Sequence, residues 1–457
     1  MLDAATAPRR TPAAGWRVAA PAHRRLTTLL LAAVVAGNAA AIVWLWVHGG
    51  NLDLRTTGDW LTSLARLTGL LSAYLALIQV LLLARIPVLE RLVGFDCLTV
   101  WHRWNGHACI DLVVAHVLLS IWGYAALDRL SFFGELGTML GGGIYPGMIT
   151  ATVGTGMLIA VVLTSLVIVK RRLRYEWWYA VHLLAYGGIA LAWFHQIPTG
   201  NELVLDQTAA DYWTSLYVAT LALLVGFRVL APAVAALRFR LRVAQVIHEG
   251  PGVVTLRIEG RGLQRLHARP GQFFLWRFLS RDRWWKAHPF SLSAAPTDTS
   301  LRVTVKGLGD FTNRIGEIRP GTRVLAEGPF GTFTAEAARR EKTILIAGGI
   351  GVTPVRALLE DLDGDVAVLY RVVSAEEAVL LAELETLAPV VHVVAGDHRD
   401  PANADLLSSE HLLELVPDLR ERDVFVCGPP AMADGVLRNV RKAGVPRRHI
   451  HAERFAL

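Results

Sequence analysis

Cysteine is scarce in this chain of 457 residues, and the three present, Cys97, Cys109 and Cys427, form no CxxC pair. That excludes a disulfide framework and a cysteine-based zinc site. Charge is scarce too. Asp, Glu, Lys and Arg make up 19% of the chain and hydrophobic residues 53%, a balance too apolar for an ordinary soluble protein. The shortage is uneven: the first half is nearly uncharged between short basic clusters, and the second half has the composition of a soluble α/β protein. The net charge is +7, yet there is no basic helix and no basic patch interleaved with aromatics. Nucleic acid is therefore excluded as a partner. The twin arginines of "RRTPAAGW" lack the apolar continuation of a signal, so residues 1–22 are expected to be a disordered cytoplasmic tail.

What is present is a set of six apolar runs, each near the ~20 residues that cross a bilayer as a helix. They are Leu26–Val47, Leu61–Leu83, Gly106–Leu127, Met148–Val169, Trp177–Ile197 and Tyr212–Leu230. Basic residues sort to one side: Arg24 and Arg25, then Arg85, Arg91 and Arg103, then Lys170 to Arg174, then Arg228, Arg238 and Arg240. The opposite loops hold mainly Arg55 and Arg129, with acids such as Asp53, Glu135, Glu202, Asp206 and Asp211. The positive-inside rule then puts both termini in the cytoplasm. The lipid bilayer is the expected environment, in a bacterial-type inner membrane. The third and fifth helices run in the same direction.

Those two helices carry histidine. "WHRWNGHACIDLVVAH" holds His102, His107 and His116, and the fifth run holds His182 and His195. An ionisable residue in a span is a functional candidate. His102 and His116 are fourteen residues apart, within ~40° of one helix face and ~21 Å apart along the axis. Two parallel helices with a histidine near each end can hold two stacked haems, each iron taking one imidazole from each helix. His182 and His195 are thirteen apart and diverge by about 140° on an ideal helix. His107 and Asp111 are spaced to pair with each other or to bond a neighbouring helix.

From Arg238 the pattern changes. "LRVAQVIHEG", "GVVTLRIEG", "RPGQFFLWRF", "LRVTVKGLG" and "TRVLAEGPFGTF" are short strands with Gly/Pro turns, expected to form an antiparallel β-barrel over 238–335. Over 340–457 strands alternate with helices, which predicts a parallel sheet with helices on its faces, a Rossmann-like nucleotide-binding domain. The overall expectation is a multi-domain membrane protein: a six-helix transmembrane bundle over 23–235, then the barrel, then the α/β domain. "ILIAGGIGVTP" is a strand, a glycine turn and a helix start, which lets backbone N–H groups approach a pyrophosphate.

Motif by motif, the chain resembles the ferredoxin–NADP⁺ reductase superfamily, in the branch of membrane ferric reductases and NADPH oxidases. "HPFSLSAAP" is similar to its flavin-binding motif. The resemblance implies FAD held by His288, Pro289, Phe290, Ser291, Leu292 and Ser293, with the flavin ring near Ser291 and Ser293. "VKGLGDFT" is similar to the following motif, implying that Lys306, Gly309, Phe311 and Thr312 meet the flavin pyrophosphate. "GPFGTF" resembles the turn closing the barrel. "AGGIGVTP" implies nucleotide contacts from Gly348, Gly349, Ile350, Gly351, Thr353 and Pro354, and "CGPPAM" from Gly428 and Pro429, with Cys427 beside the hydride-transfer centre. "HAERFAL" resembles a tail in which Phe455 covers the flavin and Glu453 assists by positioning. Arg371 and Ser374 follow the second strand of the nucleotide domain, where they can bind a 2′-phosphate and select NADPH, or leave NADH as donor. In the family the third and fifth helices carry the haem ligands at spacings of fourteen and thirteen. That implies two b-type haems on His102 with His182 and on His116 with His195, and Arg103 and Arg171–Arg174 where inner propionates point. The implied activity is NAD(P)H-dependent electron transfer through FAD and haem to an outer acceptor, oxygen or a ferric chelate. Animal oxidases of this branch place another histidine where this chain has Ser120. A membrane-anchored flavin reductase without haem and a transporter with a regulatory flavodomain are the alternatives. No inverted repeat supports the transporter.

Overall fold

The computed structural model describes residues 21–141, 143, 145–166, 175–281, 283–397, 399–403 and 405–454. The chain divides into two compact units, Met1–Val229 and Leu230–Leu457.

The first unit is helical: α1 (Pro21–His48), α2 (Thr57–Leu82), α3 (Pro87–Val93), α4 (Phe95–Asp128), α5 (Phe132–Gly141), α6 (Met148–Ser165), α7 (Tyr175–Thr199), α8 (Asn201–Leu205) and α9 (Gln207–Val225). Among the described residues, six helices are long and apolar enough to cross a membrane: Leu26–His48, Thr57–Leu82, Cys97–Asp128, Met148–Ser165, Trp177–Thr199 and Gln207–Phe239. The chain is a multi-pass membrane protein. All six coincide with the apolar runs of the sequence. Residues 1–20 and the basic run Lys170–Arg174 lie outside the described residues.

Small residues bring these helices together, as they do where no hydrophobic drive separates helix from lipid. A Cβ on Gly123 would lie 2.8 Å from the Thr62 nitrogen, which binds α4 closely to α2. Gly154 of α6 and Gly188 of α7 face one another, and a Cβ on either would come within 2.9 Å of the other's carbonyl oxygen. The main neighbour of α4 is therefore α2, and that of α7 is α6. A capping box of Thr56 and Asp59 starts α2 and supplies partners for its first N–H groups.

The second unit opens with α10 (Ala231–Phe239) and then two three-stranded antiparallel sheets, β1-β2-β5 and β4-β3-β6. These are β1 (Arg242–Gly250), β2 (Val253–Glu259), β3 (Phe273–Phe278), β4 (His288–Ser291), β5 (Ser300–Lys306) and β6 (Val324–Phe330). Bridges join Leu292 to Val303 and Arg242 to Arg323, linking the sheets at both edges into one ring. Leu256, Ile258, Phe274, Trp276, Phe278 and Val303 fill its interior and are fully buried. The sequence had not marked "HPFS" as a strand. It forms β4, pairing with β3 through Phe274 to Phe290 and Phe273 to Ser291.

A five-stranded parallel sheet follows, in the order β11-β10-β7-β8-β9, with β7 (Lys342–Gly348), β8 (Asp365–Val372), β9 (Val390–Ala395), β10 (Asp423–Gly428) and β11 (Ile450–Arg454). Separate apolar layers cover its two faces, as expected of a doubly wound sheet. Strand order reverses between β7 and β10. The crevice at their carboxyl ends is where such folds bind nucleotides.

Candidate functional site

In the membrane unit the histidines of α4 and α7 meet in two pairs. The rings of His102 and His182 have centroids 6.1 Å apart and those of His116 and His195 6.3 Å. The nominal 140° offset along α7 does not prevent this, because ring position also depends on side-chain rotamers, helix tilt and local winding, all of which an ideal Cα wheel ignores. His116 Nδ1 donates to the Ala65 carbonyl at 2.7 Å, and His102 Nδ1 to the Gln79 carbonyl at 3.2 Å. A carbonyl only accepts, so the proton sits on Nδ1 and the Nε2 lone pair is left for a ligand. Ser165 Oγ lies 3.4 Å from His182 Nδ1 and accepts from Trp178 Nε1.

The supporting groups on α2 escaped the sequence reading because most are backbone atoms. Gly69 is one such position: a Cβ there would lie 2.7 Å from His116 Nδ1. Arg66 does carry a signal, a charge inside a span. Its Nη1 donates to Asn51 Oδ1 at 2.9 Å, and Asn51 Nδ2 donates to the buried Glu202 at 3.1 Å. The expected His107–Asp111 pair is not formed. Both side chains point outward from α4 and make no hydrogen bond or ion pair among the described residues. Spacing of i to i+4 permits that contact but does not impose the rotamers it requires.

In the barrel, His288 stacks on Phe311 at 3.9 Å between centroids, and the Phe290 carbonyl accepts from Trp276 Nε1. Pro289 is exposed and Leu292 fully buried. Ser291 Oγ is buried and has no hydrogen-bond partner among the described residues. Ser293 differs: its Oγ accepts from Thr304 at 2.9 Å, and Thr304 shares a hydrogen bond with Thr255. That hydroxyl joins a buried hydroxyl chain of the barrel and keeps its own proton to donate. Thr312 Oγ1 accepts from the amides of Leu308 and Gly309 and so closes its own loop. Lys306 pairs with Glu377 at 2.8 Å.

The two nucleotide-domain loops touch through backbone. A Cβ on Gly351 would collide with the Cys427 carbonyl and lie 2.8 Å from Gly428 Cα. Gly349 has φ +51°, which suits glycine. Thr353 Oγ1 donates to the Ile350 carbonyl, and Thr353 and Pro354 are buried at the start of α11 (Val352–Leu359). Pro429 stands at the N-cap position of the helix Pro430–Lys442, after β10, and makes no side-chain cap bond. Cys427 is fully buried, and burial, then Glu453, pushes its thiol well above the ordinary value. Glu453 is its register partner on β11 and lies 3.6 Å from where a Cβ on Gly331 would be. Phe455 lies outside the described residues.

Arg371 is turned inward. Its Nη1 donates to the carbonyls of Val372 and Val394. Burial lowers its pKa, and Asp397 opposes that shift. Ser374 bonds the Glu376 carboxyl and holds it below the usual range.

Comparison with known proteins follows the same division. Residues 68–193 match the family "Ferric reductase like transmembrane component", 238–334 "FAD-binding domain" and 345–438 "Oxidoreductase NAD-binding domain". In chain order, a ferric reductase-like transmembrane stretch is followed by FAD-binding-like and NAD-binding-like stretches. It is 29% identical over 244 residues to an NADPH oxidoreductase of Mycobacterium tuberculosis, covering 50% of this chain and 62% of the relative. It is 30% identical over 235 residues to the ferredoxin reductase component of 3-ketosteroid-9-alpha-monooxygenase of Mycolicibacterium smegmatis, covering 47% and 65%. Dual oxidase 1 of Sus scrofa is 30% identical over 155 residues, 31% of this chain and 10% of that protein. The chain thus spans less than two thirds of each of these relatives.

Proposed function

We propose that this membrane oxidoreductase carries electrons from cytoplasmic NAD(P)H, through FAD and two b-type haems, to oxygen or a ferric chelate on the outer face. The observation that carries this reading is the pairing of four histidines across two helices. Two imidazoles sharing one metal at about 2 Å each place their ring centroids about 6 Å apart. The two pairs, at 6.1 and 6.3 Å, fit that requirement. His102 and His182 would hold the inner haem and His116 and His195 the outer one, with the Nδ1 bonds of His102 and His116 keeping those rings in the ligating tautomer. Positive-inside sorting of the loops supports cytoplasmic termini in a bacterial-type inner membrane.

When bound, FAD and haem supply the redox chemistry, the conversion of a two-electron donor into one-electron transfer. The chain's own residues bind and orient. The turn Gly348–Gly351 and the start of α11 offer N–H groups to a pyrophosphate, and Gly351 keeps that turn against Gly428. The neutral, buried Cys427 and the neighbouring Glu453 shape the end of the crevice, Cys427 without acting as a nucleophile. Arg371 commits Nη1 to the carbonyls of Val372 and Val394, and its remaining N–H groups leave both NADPH and NADH open as donor.

The orphaned hydroxyl of Ser291 fits a flavin heteroatom. Ser291→Ala should weaken FAD binding about fivefold to tenfold, the value of one neutral hydrogen bond. Titration of the flavin-stripped protein measures this. Thermal stability without flavin should be unchanged, because Ser291 Oγ bonds nothing else in the barrel.

The reading as a whole is tested by a reduced-minus-oxidised spectrum of the purified full-length protein. Two b-type haems per chain, reduced by NAD(P)H, are expected. Flavin without haem in correctly inserted protein would leave only an anchored flavin reductase.

A further inference from the structure

The outward face of α4 carries a feature that the proposed electron path does not use. Val100, Trp104, His107, Asp111, Val114 and Leu118 are all exposed and recur at alternating spacings of four and three residues. That repeat is the seam of a helix that packs against another helix. At 3.6 residues per turn it lies about 180° from the face of His102 and His116. His107 and Asp111 stand at its centre, between the two ligands and midway along the span Cys97–Asp128. Neither makes a hydrogen bond or ion pair among the described residues. Ionisable side chains turned to lipid at that depth are costly, and membrane proteins face them toward a partner.

We propose that this face is a helix–helix interface between two copies of this chain. Complementarity identifies the occupant. His107 offers a donor and Asp111 an acceptor one turn away. A two-fold axis along the membrane normal keeps each residue at its own depth, so His107 of each copy lies about one turn from Asp111 of the other, within side-chain reach, and one face satisfies itself twice. Copies inserted in the same direction present parallel helices, for which a three-four repeat is the seam. Trp104, 71% exposed in the single chain, and Val114, 47% exposed, supply apolar contact on either side of the polar centre. A foreign helix would need a matching polar pair at the same depth, whereas a second copy brings it.

The test uses the full-length protein in liposomes, labelled with donor and acceptor dyes on a terminal tag, over a range of protein-to-lipid ratios. Wild type should show density-dependent energy transfer that unlabelled protein competes away. H107L and D111L should each weaken association about tenfold, as expected for interhelical polar pairs in a membrane. The exchange H107D/D111H should restore it. In the same membranes, a photoreactive benzoylphenylalanine replacing Trp104 should cross-link two copies, and one replacing Trp177, exposed on α7, should not. Haem content and NAD(P)H-driven flavin reduction should be unchanged in every variant, so loss of association is separable from loss of the proposed electron path. Chance-level energy transfer in wild type, equal association in both leucine variants, or cross-linking from Trp104 only to other molecules would overturn the proposal.

Discussion

Replacement of His116 by alanine should remove about half of the b-type haem absorbance and leave NAD(P)H-dependent flavin reduction intact. His116 is the most completely supported of the four proposed ligands. Its Nδ1 is fixed by the Ala65 carbonyl at 2.7 Å, Gly69 leaves room only for the bare ring, and His195 faces it at 6.3 Å. Loss of the hydrogen-bond partner behind a metal-binding histidine typically weakens a metal site 10–100-fold, so loss of the histidine itself should reduce transfer to an outer acceptor by more than about a hundredfold. The inner pair, His102 with His182, stands on separate contacts and should keep its haem. Haem quantitation beside single-turnover flavin reduction reads both halves. Unchanged haem content would show the ligand assignment to be wrong, and loss of both haems would show that the two pairs do not stand independently.

Gly351→Ala should abolish efficient use of NAD(P)H for a reason unrelated to backbone conformation. Gly351 has an ordinary helical φ of −61°. What excludes a side chain is the Cys427 carbonyl and Gly428 Cα, backbone atoms of a fully buried strand end that have nowhere to move. Overpacking of this kind costs about 1–3 kcal/mol. It also pries apart the two loops that line the nucleotide crevice, so flavin reduction by NAD(P)H should fall about tenfold to a hundredfold, while dithionite reduces the protein normally. Gly349→Ala is the control. It meets nothing within 4 Å, and its φ of +51° costs about 1–2 kcal/mol of local strain without moving Gly428. If both variants behave alike, backbone strain rather than loop contact governs the site.

Much of this architecture was legible from residue pattern. The six apolar runs became the six long helices, because a bilayer demands length and apolarity of each span separately, and both are local properties. "KTILIAGG", "VAVLYRVV" and "DVFVCGPP" became β7, β8 and β10 because fully buried strands read as continuous apolar runs. "HPFS" was not legible as a strand. Four residues containing proline carry little β signal, and β4 exists because β3 supplies its partner. The order β11-β10-β7-β8-β9 was likewise beyond pattern, since which strands become neighbours depends on crossovers spanning many residues.

The candidate site divides the same way. The sequence by itself determined which residue types could do chemistry: five histidines in two spans, glycine turns after strands, and two serines in a flavin-like motif. Only the tertiary structure decided how each is used. It paired His102 with His182 and His116 with His195, left Ser291 free while tying Ser293 into a hydroxyl chain, turned Arg371 inward and sent His107 and Asp111 outward. The physical reason is that composition and spacing act along one helix or strand. A hydrogen-bond partner, a rotamer or a facing ring comes from another element, and no local pattern encodes which one.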